Sequence, residues 1–445
     1  MARRYLSLAC AAAVFSWGCG DDAGSAGDGA EAPSSSSGGS EAPTTGEDPA
    51  TSAADEAGED GDESSGGGAP VGDLPGYDDS ECWGQVAQTD VYNLDKHITE
   101  STAATCRGEG MRARVFVADT LWDAGVVDQS EVDGFINRLE LVTPEGSHDP
   151  GQGVLVNNEE IFGDFPQGTV DIFIVDSKGA GDGYLCGWCS TPVIHIDGVV
   201  IDAIGGERAA SVAAHESYHL IHRAIDGDEA QWVDETVAQA AMTANGFFTD
   251  GDWLADFLSD PGDLWGPGAD AGFGTFNYGA GLLFGTMLWE RGGAELMWAI
   301  THESADEWEG LDAALSSVGS DKTAWEHFLD MAVAIYIDMP ESGYGFAAFG
   351  VEGVATEGEL TATSMGEGRV DPFAFDYWPL TTSGAVGLSM NGDPGLAAQA
   401  VVVDGEDVQV LPVGSGTQLD IPDSASAAFV VVTANAQANY TLIVD

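Results

Sequence analysis

The sequence predicts an α+β chain: a twisted sheet with helices, a mainly helical stretch beyond it, and a small all-β sandwich at the end. Three observations predict it. Between residues 111 and 201, runs that read as strands are interleaved with a helical pattern. Longer helical patterns follow between 207 and 337. Beyond about Gly350 the helical period disappears, and short apolar runs separated by turn residues take its place.

The segments can be justified in order. Residues 1–19 read as a lipoprotein-type export signal: Arg3 and Arg4 open it, Leu6 to Phe15 is apolar but too short to span a bilayer, and Gly18 precedes Cys19. Cys19 is the expected lipidation site, with Cys10 a weaker candidate after a shorter run. Residues 20–80 are Gly, Ser, Ala, Asp, Glu and Pro with almost no large apolar side chain. Such a stretch cannot bury enough surface to offset chain entropy, so it is expected to be an acidic tether. The expected membrane association is by the lipid anchor only.

Residues 81–345 are expected to form one domain. Met111 to Ala118 alternates as a half-buried strand does. Ser130, followed three residues on by Asp133, reads as an N-cap before Val132, Phe135, Ile136 and Leu139 at helical spacing. Val170 to Val175 is a strand, and Val193 to Ile201 is strand-like with a break at Asp197-Gly198. Glu207 to Ala224 and Gln231 to Thr243 read as helices, the second stopped by Asn245-Gly246. Residues 247–275, rich in Gly, Asp and Trp, read as an ordered loop. Tyr278 to Thr301 and Thr323 to Ile337 are further helices. Residues 346–445, with runs such as Ala400 to Val403, Val408 to Leu411 and Phe429 to Val432, are expected to form the β-sandwich domain.

Charge excludes some functions. The chain has 13 Lys and Arg against 75 Asp and Glu, a formal net charge of -62. Such a surface repels phosphate backbones and anionic lipid, so no nucleic acid partner is expected. After the signal, Cys82, Cys106, Cys186 and Cys189 remain. In an oxidising compartment an even count points to disulfides. Three pairings are open, of which Cys82–Cys106 with Cys186–Cys189 is the simplest. The Cys186-Gly-Trp-Cys189 spacing also fits a redox or zinc motif, but a zinc ribbon needs a second such pair.

The sharpest chemical signal is His215-Glu216-Ser217-Tyr218-His219 inside the helix over 207–224. Residues four apart on a helix differ by about 40° in azimuth, so both imidazoles project from one face and can bind one zinc ion. Glu216 lies roughly 100° round from His215, placed to act on a water without being a ligand. A third ligand is still needed. The turn over 225–230 lets the next helix fold back, which offers Glu235 in Trp232-Val233-Asp234-Glu235. His222 is the competitor, but positions i, i+4 and i+7 span about 10.5 Å of rise, hard to close around one ion. Asp234 is expected to point to another side of its helix and be solvated, and His195 to be a satisfied polar residue.

This arrangement resembles the gluzincin metallopeptidases, whose ligands are His-Glu-x-x-His plus a Glu on a later helix. It is most similar to the secreted neutral zinc metallopeptidases of the hyicolysin type, over about residues 110–340, including Tyr278-Gly-Ala-Gly-Leu-Leu-Phe. The resemblance implies a zincin-like fold and a zinc-dependent endopeptidase acting on protein or peptide substrates. It implies Glu216 as general base, Tyr278 as donor to the oxyanion, and the Val193 to Ile201 region as a strand that holds substrate. Members usually carry Gly after the third ligand and, four positions after it, an acidic residue that orients a histidine. Thr236 and Gln239 stand there, so Gln239 is expected to orient a ligand imidazole without charge. The rival function is a surface binding or adhesion lipoprotein with a degenerate zincin domain.

Overall fold

The computed structural model of the chain describes residues 81–93, 96–179, 181–187, 189–248, 251–262 and 277–445. The export signal with Cys19 and the tether expected at 20–80 lie outside the described residues. Within them the architecture is α+β.

The first sheet has six strands: β1 (Val86–Asn93), β2 (Ile98–Glu109), β3 (Ala113–Ala118), β4 (Val170–Val175), β5 (Gly183–Cys186) and β6 (Val193–Asp197). They lie in the order β1-β2-β3-β4-β6-β5. Strands β3, β4 and β6 are parallel, and the others pair antiparallel. Helices α1 (Asp119–Asp123), α2 (Gln129–Glu140) and α3 (Val154–Phe162) fall between β3 and β4.

Alternation along the parallel strands divides two cores. Val115, Val117, Ile172, Ile174, Ile194 and Ile196 enter the main core shared with the helices. Phe116, Phe173, Val175 and Val193 face the other way, into a smaller core with Val91, Ala104 and Tyr184. That second face is covered because β1 and β2 curl over it: Thr89 Oγ1 lies 2.7 Å from His195 Nε2, and the Tyr92 N–H donates to Tyr184 Oη at 3.1 Å. A strand buried on both faces needs apolar residues at successive positions, as Ile172 to Val175 of β4 are, while Asp171 at its start is half-buried and pairs with Arg114.

Cys82 pairs with Cys106, and Cys186 with Cys189. Such crosslinks form and persist in oxidising compartments, extracellular or periplasmic. Among the described residues no helix is long and apolar enough to cross a membrane.

Several expectations need correction. The N-cap of α2 is Asp128, not Ser130; its carboxylate accepts from the Glu131 N–H while Glu131 reaches back, a capping box two residues earlier. In the region over 193–201 the break expected at Asp197-Gly198 is where β6 ends, the Asp197 carboxylate accepting from the Val199 and Val200 N–H groups and turning the chain. That strand is interior: β5, too short to show a period in sequence, pairs antiparallel outside it and forms the sheet edge.

Six helices complete the first part: α4 (Glu207–Ile225), α5 (Gln231–Ala244), α6 (Gly251–Ser259), α7 (Tyr278–Thr301), α8 (Glu307–Ser317) and α9 (Ala324–Ile337). Helix α6 falls where an ordered loop was expected. Helix α7 is not continuous, because Gly293 adopts a left-handed φ of 56° and breaks it.

The last hundred residues form two four-stranded antiparallel sheets. One is ordered β11 (Asp407–Pro412), β10 (Leu396–Asp404), β13 (Ala427–Ala434), β8 (Asp376–Pro379). The other is ordered β12 (Thr417–Ile421), β9 (Gly384–Gly392), β14 (Ala438–Val444), β7 (Met365–Val370). Ala400, Val402, Val430 and Val432 face the second sheet across a common core. Their neighbours Val401, Val403, Phe429 and Val431 point the other way, into the main core with the helices. There Tyr336 of α9 stacks on Phe429 at 4.0 Å, and Tyr377 Oη donates to Ala332 O at 2.8 Å. The sheet is therefore buried on both sides.

Candidate metal centre

Helix α4 lies under the sheet with Ala209, Ala210, Ala213 and Ala214 buried on its packed side. Small side chains there permit close approach to the strands. Gly183 serves the same end from above: a Cβ on it would sit 2.4 Å from Val212 Cγ1 and 2.8 Å from His195 O. The edge strand β5 can thus lie against α4, and the Leu185 N–H donates to the Glu216 carboxylate.

The connection over 226–230 returns the chain so that α5 packs back on α4. Three buried asparagines fix that packing. Asn158 of α3 donates to Ala214 O at 2.8 Å and to Ser217 Oγ at 2.7 Å, while Asn245, at the end of α5, donates to Asn158 Oδ1 at 2.7 Å. Asn157 in turn donates to Asn245 Oδ1 at 3.3 Å. One polar cluster ties α3, α4 and α5 together.

The result is a convergent donor set. His215 Nε2 and His219 Nε2 are 3.1 Å apart. Glu235 Oε2 lies 3.3 Å from the first and 3.7 Å from the second. Glu235 is buried, and its Oε2 makes no well-formed hydrogen bond among the described residues. A buried carboxylate oxygen in that condition, facing two ring nitrogens, fits a cation ligand. His215, His219 and Glu235 can hold a metal ion, and among the described residues they are the one such group of His, Cys, Asp or Glu.

The electrostatics agree with that use. Burial disfavours charge on His219, but the Asp234 and Glu235 carboxylates outweigh it and push its pKa well above the ordinary value. Burial likewise works against the charged Glu235, yet the two imidazoles pull its pKa down to about 2. The local field favours a cation among these side chains. Glu216 is shifted the opposite way: burial raises its pKa, only partly offset by His215, His219 and the Leu185 N–H.

Tyr278 stands at the first turn of α7, where Asn277 Oδ1 caps the helix by accepting from the Gly279 and Ala280 N–H groups. Its ring centroid is 6.4 Å from that of His215 and 5.5 Å from that of Trp253. The phenol side chain is thereby brought to the rim of the donor set.

Three residues differ from expectation. Gln239 is buried, but its Oε1 makes no hydrogen bond among the described residues and reaches neither imidazole. Asp234, expected to be solvated, is instead at His219: its Oδ2 lies 2.9 Å from Nδ1, with the ring N–H inclined to that line. Its other oxygen, Oδ1, is 2.7 Å from His222 Nδ1. Although partial desolvation opposes this, both imidazoles hold the pKa of the half-buried Asp234 far below its ordinary value. His222 therefore stands outside the donor set, bound to Asp234 and stacked on Tyr218 at 5.2 Å. His195, expected to be a satisfied polar residue, is satisfied only in part: Nε2 lies on Thr89, Nδ1 has no hydrogen bond among the described residues, and desolvation lowers its pKa to about 3.

No protein-family model matches the sequence, and no curated protein matches it. Among solved structures, a periplasmic lysozyme inhibitor of g-type lysozyme from Salmonella Typhimurium is similar over 20% of this chain and 100% of its own. Its identity is 9% and its TM-score 0.16, a likeness that carries no argument about fold or site.

Proposed function

We propose that the protein is an exported, lipid-anchored zinc endopeptidase of zincin-like fold. The observation that carries this reading is the donor triangle of His215, His219 and Glu235 with a buried carboxylate, Glu216, one residue from the first ligand. Tetrahedral coordination with bonds of ~2.0–2.1 Å sets ligand atoms about 3.3–3.4 Å apart. The observed separations of 3.1, 3.3 and 3.7 Å bracket that value. Two imidazoles and one carboxylate also leave a position open, as catalytic zinc sites do.

When bound, zinc supplies a Lewis acid that polarises a carbonyl and makes water a competent nucleophile near neutral pH. The chain supplies the rest. Glu216 takes the proton from the attacking water at its carboxylate and passes it to the leaving nitrogen. Its burial raises its proton affinity toward the range useful for both transfers. The Leu185 N–H, on the adjoining strand, favours the charged form of that carboxylate. Tyr278 donates a hydrogen bond to the oxygen on which charge develops. The strand that holds an extended peptide is then β5, at the edge of the sheet, in place of the strand over 193–201. The Gly18-Cys19 pair and the apolar run before it support export with a lipid on Cys19. The acidic surface supports a protein or peptide substrate over any nucleic acid.

The test is hydrolysis of an unfolded protein such as casein by the purified mature chain. Activity should vanish with a chelator, return with zinc, and fall ~10²–10⁴-fold in Glu216→Gln, which keeps its metal. Wild-type protein that holds zinc and cleaves nothing at low or high salt would instead support the binding lipoprotein.

A further inference from the structure

We propose that Asp234, backed by His222, is the positioning residue of this centre and does the work that the gluzincin resemblance implies for Gln239. The inference rests on the metal-centre reading above. Its basis is the bridge itself: Asp234 offers one oxygen to each ring, Oδ2 to His219 Nδ1 at 2.9 Å and Oδ1 to His222 Nδ1 at 2.7 Å.

Asp234 Oδ1 accepts from His222 Nδ1, and Oδ2, 2.9 Å from His219 Nδ1, favours the proton on that nitrogen in the neutral His219 ring. For His219 that leaves the lone pair on Nε2, the atom that faces His215 Nε2 at 3.1 Å and Glu235 Oε2 at 3.7 Å. The bridge thus selects the tautomer competent to bind a metal and aims the ring at the donor set. The far end of the bridge is anchored in the core. His222 is buried, stacked on Tyr218, whose ring meets Phe162 edge-on at 4.9 Å. Two consecutive residues of α5 therefore serve one metal site from opposite sides of His219, Glu235 at Nε2 and Asp234 at Nδ1. Gln239 is buried one turn further along, and its Oε1, the atom that would accept from an imidazole N–H, makes no hydrogen bond among the described residues.

The experiment is a zinc titration of the full mature protein by competition with a chromophoric chelator. It compares wild type, Asp234→Asn, His222→Leu, the double variant and Gln239→Ala, with circular dichroism to monitor the fold. Asp234→Asn should weaken zinc ~10–100-fold, the usual loss when such a partner is changed. His222→Leu should weaken it several-fold, and the double variant should bind no worse than Asp234→Asn alone, because His222 acts through Asp234. Gln239→Ala should bind as wild type does. A folded Asp234→Asn with wild-type affinity overturns the proposal, and so do losses that add fully in the double variant. If Asp234→Asn does not fold, His222→Leu decides: weaker zinc supports the bridge and unchanged affinity rejects it. Wild-type protein that binds no zinc overturns the metal centre and this inference together, whereas failure in the variants alone leaves the metal centre standing.

Discussion

Asp234 and Glu235 are neighbours in sequence with separate tasks, because successive side chains on a helix diverge by about 100°. Glu235 faces the two Nε2 atoms, and Asp234 faces the Nδ1 side of His219. Glu235→Ala should therefore release most of the zinc measured by mass spectrometry, while His222→Ala keeps most of it. Full retention by Glu235→Ala with loss in His222→Ala would mean that the third ligand was misassigned. Asp376, far along the chain, makes a different kind of residue-scale prediction. Burial pushes its pKa up to about 7, against the hydrogen bond from Tyr440, with the Glu357, Asp260 and Asp371 carboxylates adding to the rise. Tyr440 Oη donates to Asp376 Oδ2 and accepts from Trp378 Nε1 at 2.8 Å. A folded-state pKa above the unfolded value favours folding fully below about pH 4, and that contribution is lost as pH rises through about 7. Asp376→Asn should match wild type in Tm near pH 4 and exceed it above pH 7, by on the order of 2–4 kcal/mol in stability. Parallel Tm curves from pH 4 to 8.5 would show that the carboxyl is not held protonated.

Between elements, the asparagine cluster sets the α3, α4 and α5 packing on which the donor set depends. Asn158→Ala removes one hydrogen-bond partner each from Ala214 O, Ser217 Oγ and Asn245 Nδ2, which keep the Ser217–Ala214 and Asn245–Ala241 bonds. Leaving such buried groups short of partners costs roughly 1–3 kcal/mol. Thermal or denaturant unfolding should show that loss; an unchanged transition would mean the cluster is not what holds the helices in register. The elements also explain what the sequence could tell. His215, Glu216 and His219 share one helix, so spacing alone placed their side chains together. Glu235 needed only the short return over 226–230. The task of Asp234 needed more: the rotation of α5 about its axis decides whether residue 234 or 239 meets His219, and no local pattern encodes that angle. Strand β5 has four residues, fewer than a period needs to declare itself. The capping box of α2 was legible in Asp128 and Glu131, but Ser130 offered a competing start two residues later.

At the scale of the whole molecule, the β-sheets near the end complete the helical core. Phe373, Phe375, Tyr377, Val401, Val403, Phe429 and Val431 belong to the same apolar cluster as α4, α5, α7 and α9. Trp308 stacks on Phe373 at 5.3 Å, and Phe328 lies 4.8 Å from Phe375. A chain ended at residue 345 should expose this surface on α8 and α9 and lose solubility or unfold at a markedly lower Tm than the chain ending at 445. A truncated chain with the full-length Tm would make the two parts independent folding units. The proposed activity of the whole molecule stands on the metal. Its most direct test is anomalous diffraction from crystals of the purified protein, measured on both sides of the zinc absorption edge. A single zinc peak within bonding distance of His215 Nε2, His219 Nε2 and the Glu235 carboxylate is the predicted result. Zinc-supplemented crystals with no peak there, or with the peak on His222 in place of Glu235, would contradict it.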